Sequence, residues 1–237
     1  LVASKWVAPG APARLGIAFN AAHIVMNHFV LYGRQGWGSA IVEAQLTWYG
    51  LPFRMEDSGD LLASAEARDK LQPLNPLAQV PVLALPDGQV MTESAAITLH
   101  LADLTGRDDL VPDAQAPERA AFLRWLVFLV TNVYPTFTYG DIPTRFVKDE
   151  DAAKGFRSEI DAYLRRLWTI VESAASAPHF LGERFSALDI YLAVLTRWRP
   201  GPTWFAERAP RVSAAAQRAA ALRALAQVMG RNFPQKA

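Results

Sequence analysis

Two short stretches combine residue types that can bind and activate a ligand: Thr92-Glu93-Ser94, just where a helix is about to begin, and Gly36-Trp37-Gly38-Ser39, a glycine-rich turn in front of another helix. The first turn of a helix presents N–H groups without intrahelical partners and the positive end of the helix dipole, so both places suit an anion. Hydroxyls stand close by in sequence, on Ser39, on Ser94 and on Tyr32 before the turn. A hydroxyl there can donate a hydrogen bond that favours the charged form of a bound group. The chain has no cysteine, which removes disulfides, thiolate metal sites and any mixed disulfide with the protein. Whatever thiol chemistry occurs must use a thiol carried in by a ligand. The four histidines, His23, His28, His100 and His179, show neither metal-ligand spacing nor an HExxH pattern, so no metal is expected.

The elements that must position these groups are legible from periodicity. Phe29 to Tyr32 reads as a strand ending at Gly33, and Ser39 to Tyr49 as a helix. Phe53 to Glu56 reads as a second strand, and Leu61 to Leu71 as a helix stopped by Pro73. Val80 to Leu85 and Gln89 to Met91 flank Asp87-Gly88, a hairpin signal, and Ala95 to Leu104 forms a helix ended by Gly106. The order is βαβ, helix, ββα. Beyond Gly106 a polar, proline-containing connection leads into stretches without a convincing strand. Helices are expected from Pro117 through Phe137, at about Asp151 to Ser176, Ala187 to Trp198 and Pro210 to Met229. The reading is an α/β unit over 28–105, a linker over 106–115 and an all-α unit over 116–237. Residues 1–27 form an N-terminal extension, with Met26 either the start of the working chain or the end of an accessory arm.

Composition narrows the function. A chain of 237 residues with 51% apolar side chains is long enough for one large or two small cores. Lysine plus arginine (24) nearly cancels aspartate plus glutamate (23), and the basic residues are scattered, so no footprint for nucleic acid is seen. No apolar run approaches the ~20 residues that cross a bilayer, so no membrane is expected and a cytoplasmic location is. A small molecule is the better partner.

A thioredoxin-like βαβ-α-ββα unit followed by a helical bundle resembles the glutathione S-transferase superfamily, in a cysteine-free, serine- or tyrosine-type bacterial form. Three motifs carry the resemblance, which spans Phe29 to about Pro234. Asn75-Pro76-Leu77-Ala78-Gln79-Val80-Pro81-Val82-Leu83 is similar to the family's pattern with a cis proline after valine. There, Val80 exposes its N–H and C=O to pair with the cysteinyl part of glutathione, next to Pro81. Thr92-Glu93-Ser94-Ala95-Ala96-Ile97 is similar to the start of the family's third helix. The resemblance implies that Ser94 donates to the γ-glutamyl carboxylate while Glu93 accepts from its ammonium. The alternative is a plain helix cap and a solvated carboxylate. Ser186-Ala187-Leu188-Asp189-Ile190, after Phe180-Leu181-Gly182, resembles the family's buried capping box and hydrophobic staple, a folding role.

The resemblance implies glutathione as cosubstrate and a site that lowers its thiol pKa, since the thiolate is the nucleophile. Ser39 is the leading catalytic hydroxyl, with the backbone N–H groups of Gly38 and Ser39 as co-contributors and simple helix capping as the alternative. Tyr32 competes as a phenol at the end of the first strand, or else packs in the core. Gln79 is expected at the glycyl end of glutathione. Trp37, Tyr134 and Tyr139 are expected to line a pocket for a small hydrophobic electrophile. Two other functions stay open: peroxide or disulfide reduction through bound glutathione, and a non-enzymatic binding protein on the same fold. A homodimer is carried over from the family.

Overall fold

The computed structural model describes residues 28–234; the N-terminal extension predicted over 1–27 lies outside them. The chain opens with β1 (Phe29–Gly33), α1 (Ser39–Tyr49), β2 (Phe53–Asp57) and α2 (Ala65–Leu71). The hairpin of β3 (Val82–Ala84) and β4 (Val90–Met91) and then α3 (Ser94–Thr105) complete the sheet-bearing half. The strand order is β2-β1-β3-β4. β1 runs parallel to β2, with Phe29 opposite Phe53 and Gly33 opposite Asp57, and antiparallel to β3, with Leu31 opposite Leu83. This is the expected βαβ-α-ββα unit. The second helix begins later than Leu61 because Asp60 turns the chain first, its carboxylate accepting from the N–H groups of Leu62 and Ala63 at 3.0 Å. Ser64 then supplies the N-cap, accepting from Ala67 N–H at 3.1 Å.

α1 is buried nearly all round, against the sheet, α3 and the helical half, which is why its apolar residues show no single stripe. Gly106 ends α3 at a φ of 61°, a left-handed conformation that a side chain would oppose.

The helical half comprises α4 (Arg119–Phe128), α5 (Tyr134–Asp141), α6 (Glu150–Ala174), α7 (Ala187–Leu195), α8 (Pro202–Arg208), α9 (Pro210–Ala221) and α10 (Arg223–Asn232). α4 and α5 are one continuous helix with a π-helical turn, Leu129–Val133, between them. The cause lies in Pro135, whose ring has no N–H and would crowd the carbonyl four residues earlier. This run, Arg119–Asp141, is 23 residues long and apolar enough to cross a membrane by length and composition alone. The sequence expectation that nothing approaches that length is corrected on this point. Phe122, Trp125, Leu126, Leu129, Val133 and Phe137 of the same run are buried in the core shared by both halves. The single helix predicted from Pro210 to Met229 is two, because Leu222 turns extended (ψ 132°) and sends α10 onto α1.

Ser186 and Asp189 form the predicted capping box at the start of α7. Asp189, wholly buried, accepts from Ser186 N–H at 2.9 Å and from Phe180 N–H at 2.8 Å, tying the preceding loop to the helix. Its role is structural. Asp189→Ala leaves two buried N–H groups without an acceptor, at about 1–3 kcal/mol each. A fall of that size in the unfolding free energy, read from urea titration, is the expected outcome.

Candidate active site

The loop between β1 and α1 is built around Ser39. The Ser39 hydroxyl accepts from Arg34 N–H at 3.1 Å and donates to Arg34 C=O at 3.1 Å, closing the turn on itself. A Cβ at Gly33 would overlap Ser39, so only glycine lets the strand end here. Ser39 is wholly buried and lines neither of the cavities described below. Its hydroxyl is committed to the loop and does not act as the N-cap, a position held by Gly38. Tyr32 also lines neither cavity; it packs with Leu61, Leu71, Val82 and Trp37 on the α2 side of the sheet. Both hydroxyls named in the sequence reading thus stand off the two cavities.

The same loop is held from the far end of the chain. Gly36 N–H donates to Asn232 Oδ1 at 3.1 Å, Gly36 C=O accepts from Trp198 Nε1 at 2.9 Å, and Gln35 Nε2 donates to Arg231 C=O at 2.5 Å. Asn232 also donates to Glu43 Oε2 at 2.7 Å, and the buried Glu43 carboxylate is paired with Arg231. The loop, α1 and α10 therefore share one polar cluster. Sequence reading missed it, because its members lie some 190 residues apart.

Two adjoining cavities, of about 530 and 270 Å³, meet at Gln79, Val80, Tyr134 and Thr138. The smaller is lined by Pro81, Glu93, Ser94 and Tyr139, the larger by Trp37, Gly38, Phe137 and Trp198. All the predicted binding and pocket residues therefore lie on one cleft.

Its sheet edge is prepared by Asn75, whose side chain accepts from Leu77 N–H at 3.1 Å and donates to Gln79 C=O at 2.8 Å. That fold of the chain carries Ala78 at a φ of 48° and delivers Val80 ahead of the cis Val80–Pro81 bond. The Val80 N–H and C=O have no backbone partner among the described residues.

At the α3 end, Glu93 adopts a φ of 63°, a conformation that costs a glutamate energy and is typically found where function demands it. Beneath Ser94 lies a buried polar chain. Thr98 donates to Ser94 C=O at 2.8 Å, accepts from Gln45 Nε2 at 2.9 Å and meets the Tyr191 hydroxyl at 3.4 Å. Burial pushes the Tyr191 phenol up to about 12, so it remains a neutral hydroxyl.

Tyr134 stands where the cavities meet. Its hydroxyl is buried and has no hydrogen-bond partner among the described residues, an arrangement that ordinarily costs energy. Gly38, at the start of α1, lies directly beneath it: a Cβ there would overlap the Tyr134 oxygen. The ring is fixed edge-on by Trp198 at 5.7 Å and Phe137 at 6.3 Å. Burial holds the phenol well above its usual range, so it is a proton donor at neutral pH.

A fold of this kind is that of the glutathione S-transferase family, and the comparisons agree. Residues 40–104 match the family described as Glutathione S-transferase, N-terminal domain. The chain is 39% identical over 203 residues to an uncharacterised GST-like protein, YncG, of Escherichia coli K12, covering 85% of this chain and 97% of that one. It is similar to the crystal structure of a glutathione transferase from Methylococcus capsulatus, at 31% identity and a TM-score of 0.66, over 85% of this chain and 97% of that one. A sphingomonad glutathione S-transferase complexed with glutathione superimposes with a TM-score of 0.63 at 25% identity, covering 87% and 100%. The chain belongs to the glutathione S-transferase family.

Asn232→Ala removes the acceptor of Gly36 N–H and one donor of Glu43. Loss of a bond of about 1.4 kcal/mol speeds local opening about tenfold. Hydrogen exchange at the Gly36 amide, followed by NMR, is expected to accelerate by that factor, while amides of α7 keep their protection.

Proposed function

We propose that this protein is a glutathione transferase in which Tyr134, from the helical half, is the hydroxyl that stabilises the glutathione thiolate. The observation that carries this reading is the buried, unpartnered Tyr134 hydroxyl above Gly38, on a cavity that Val80 also lines. Glutathione placed with its γ-glutamyl zwitterion at Glu93 and Ser94 and its cysteinyl backbone on Val80 brings its sulfur to that point. The sulfur then meets the open N–H groups at the start of α1 and the Tyr134 hydroxyl together. Both favour the anion: the helix start through its dipole, the phenol by donating a hydrogen bond without giving up its proton.

Chemistry follows from the anion. The thiol releases its proton to solvent, the thiolate sulfur forms a bond to an electrophilic carbon in the larger cavity, and a leaving group departs with the electron pair of the broken bond. In an addition, the substrate carbon skeleton takes up that pair and then a proton. Trp37, Phe137 and Trp198 give the electrophile an aromatic surface.

Tyr134→Phe is the deciding variant, because it keeps the ring and removes the donor. The thiol pKa of bound glutathione, read from thiolate ultraviolet absorbance against pH, is expected to rise by about one unit. The value of kcat/KM is expected to fall roughly 10- to 100-fold. The wild-type rate rises with pH through the bound thiol pKa and shows no tyrosine limb, since the phenol ionises far above it. Ser39→Ala lowers stability and leaves that thiol pKa in place. An unchanged thiol pKa in Tyr134→Phe would remove Tyr134 from the mechanism. Bound glutathione with an ordinary thiol pKa, and no turnover with several electrophiles, would defeat the transferase reading itself.

A further inference from the structure

The larger cavity, the place of the electrophile, is not the purely apolar pocket that the sequence suggests. Asp141, Arg157 and Arg199 stand on its wall beside Trp37, Phe137 and Trp198. Arg145 lines it too, but is exposed, and its charge is screened by solvent. The charge of the wall is therefore set by the other three and by whatever holds them.

What holds them is a residue behind the wall. Asp161, in α6, lines neither cavity, yet both of its oxygens are engaged by residues that line the larger one. Oδ1 is paired with Arg199 Nη1, and Oδ2 accepts from Arg157 Nε at 3.2 Å, one turn earlier on the same helix. The lattice closes through Arg199 Nη2, 2.8 Å from Asp141, and through Arg157 Nη1, which donates to Gly140 C=O. Gly140 makes the room: a Cβ there would lie 2.7 Å from Arg199 Nη2. The four side chains are only 22% to 35% exposed, so their attraction is partly shielded from water. Two guanidinium groups meet two carboxylates, and the balance holds only while Asp161 keeps its charge.

The lattice also fixes shape. Arg199 lies over the Phe137 ring at 5.4 Å, and its neighbour Trp198 packs edge-on against the same ring at 5.0 Å. With their forks held by carboxylates, the two arginines have few donors left for a ligand. An uncharged aromatic molecule suits such a wall. An ion entering it loses hydration and meets no unmatched partner.

We propose that Asp161 determines the specificity of the second-substrate pocket: by engaging Arg157 and Arg199 from behind the wall, it holds the pocket to uncharged aromatic electrophiles. The inference rests on the reading of the larger cavity as the electrophile pocket. Asp161 is a positioning residue, since it acts through the two arginines and does not touch the substrate.

The experiment uses three probes of similar shape and different charge: nitrobenzoate, its methyl ester and the nitrobenzylammonium ion. Calorimetry measures their binding to wild type, Asp161→Asn, Asp161→Glu and Arg199→Gln. Wild type is expected to bind the ester more tightly than either ion. Asp161→Asn keeps the size, removes the charge and releases both arginines, so affinity for nitrobenzoate relative to the ester is expected to rise about fivefold. Arg199→Gln leaves the carboxylates in excess and moves the preference about fivefold toward the ammonium ion. Asp161→Glu, which keeps the charge, is expected to retain the wild-type order. A merely structural role for Asp161 would weaken all three probes alike. The proposal is overturned if Asp161→Asn orders the probes as wild type does, or if wild type already favours an ion. Should Asp161→Asn fail to fold, Arg199→Gln decides by the same criterion. Failure of the underlying reading looks different. If the charge order shifts as expected but no aryl halide is turned over with glutathione, the selectivity stands and the transferase reading fails. If wild type binds none of the probes, the cavity is not a substrate pocket and the role of Asp161 falls with it.

Discussion

The buried carboxylate of Glu43 is the point on which the cleft depends. It sits in the middle of α1, a helix otherwise enclosed by apolar side chains, and a charge there is tolerable only if it is paired and hydrogen-bonded. Arg231 and Asn232, at the end of α10, supply that pairing. Through Asn232 the same cluster reaches Gly36 N–H and sets the loop that ends at Gly38. α10 therefore positions the turn between β1 and α1. The bend at Leu222 serves this arrangement, since a straight continuation of α9 would not lay α10 against α1.

Much of the fold was legible because its signals are local. Asp87-Gly88 between apolar runs, Gly106 after a periodic stretch and Ser186 three residues before Asp189 each set an element's end by chemistry confined to a few residues. The cleft lining on the sheet side was legible for the same reason: Asn75, Val80 and Ser94 lie in short motifs whose backbone consequences can be read in sequence. The unpartnered hydroxyl on the cleft was not. Ser39 has the right type and place in sequence, but Gly33 draws it inward and Arg34 takes both of its hydrogen-bonding roles. Tyr32 ends a strand on the face that packs under α2. Tyr134 reads in sequence as pocket lining. Only the fold brings its oxygen over Gly38, nearly a hundred residues away.

The π-helical turn Leu129–Val133 contributes to that placement. A residue inserted into the helical register rotates everything that follows, so Tyr134, Thr138 and Asp141 reach the cleft while Phe122, Trp125 and Leu126 stay in the shared core. Pro135, which looks like an interruption in the sequence, marks where the helix changes from a packing element to a wall of the site.

Gly38 and Tyr134 occupy neighbouring space so closely that a change at one position constrains the other. A side chain at residue 38 collides with the phenol. A smaller residue at 134 first opens the room that a side chain at 38 needs. The two positions form an epistatic pair across the two halves of the fold. The order in which such substitutions are accepted is set by this overlap: residue 134 must shrink before residue 38 can grow.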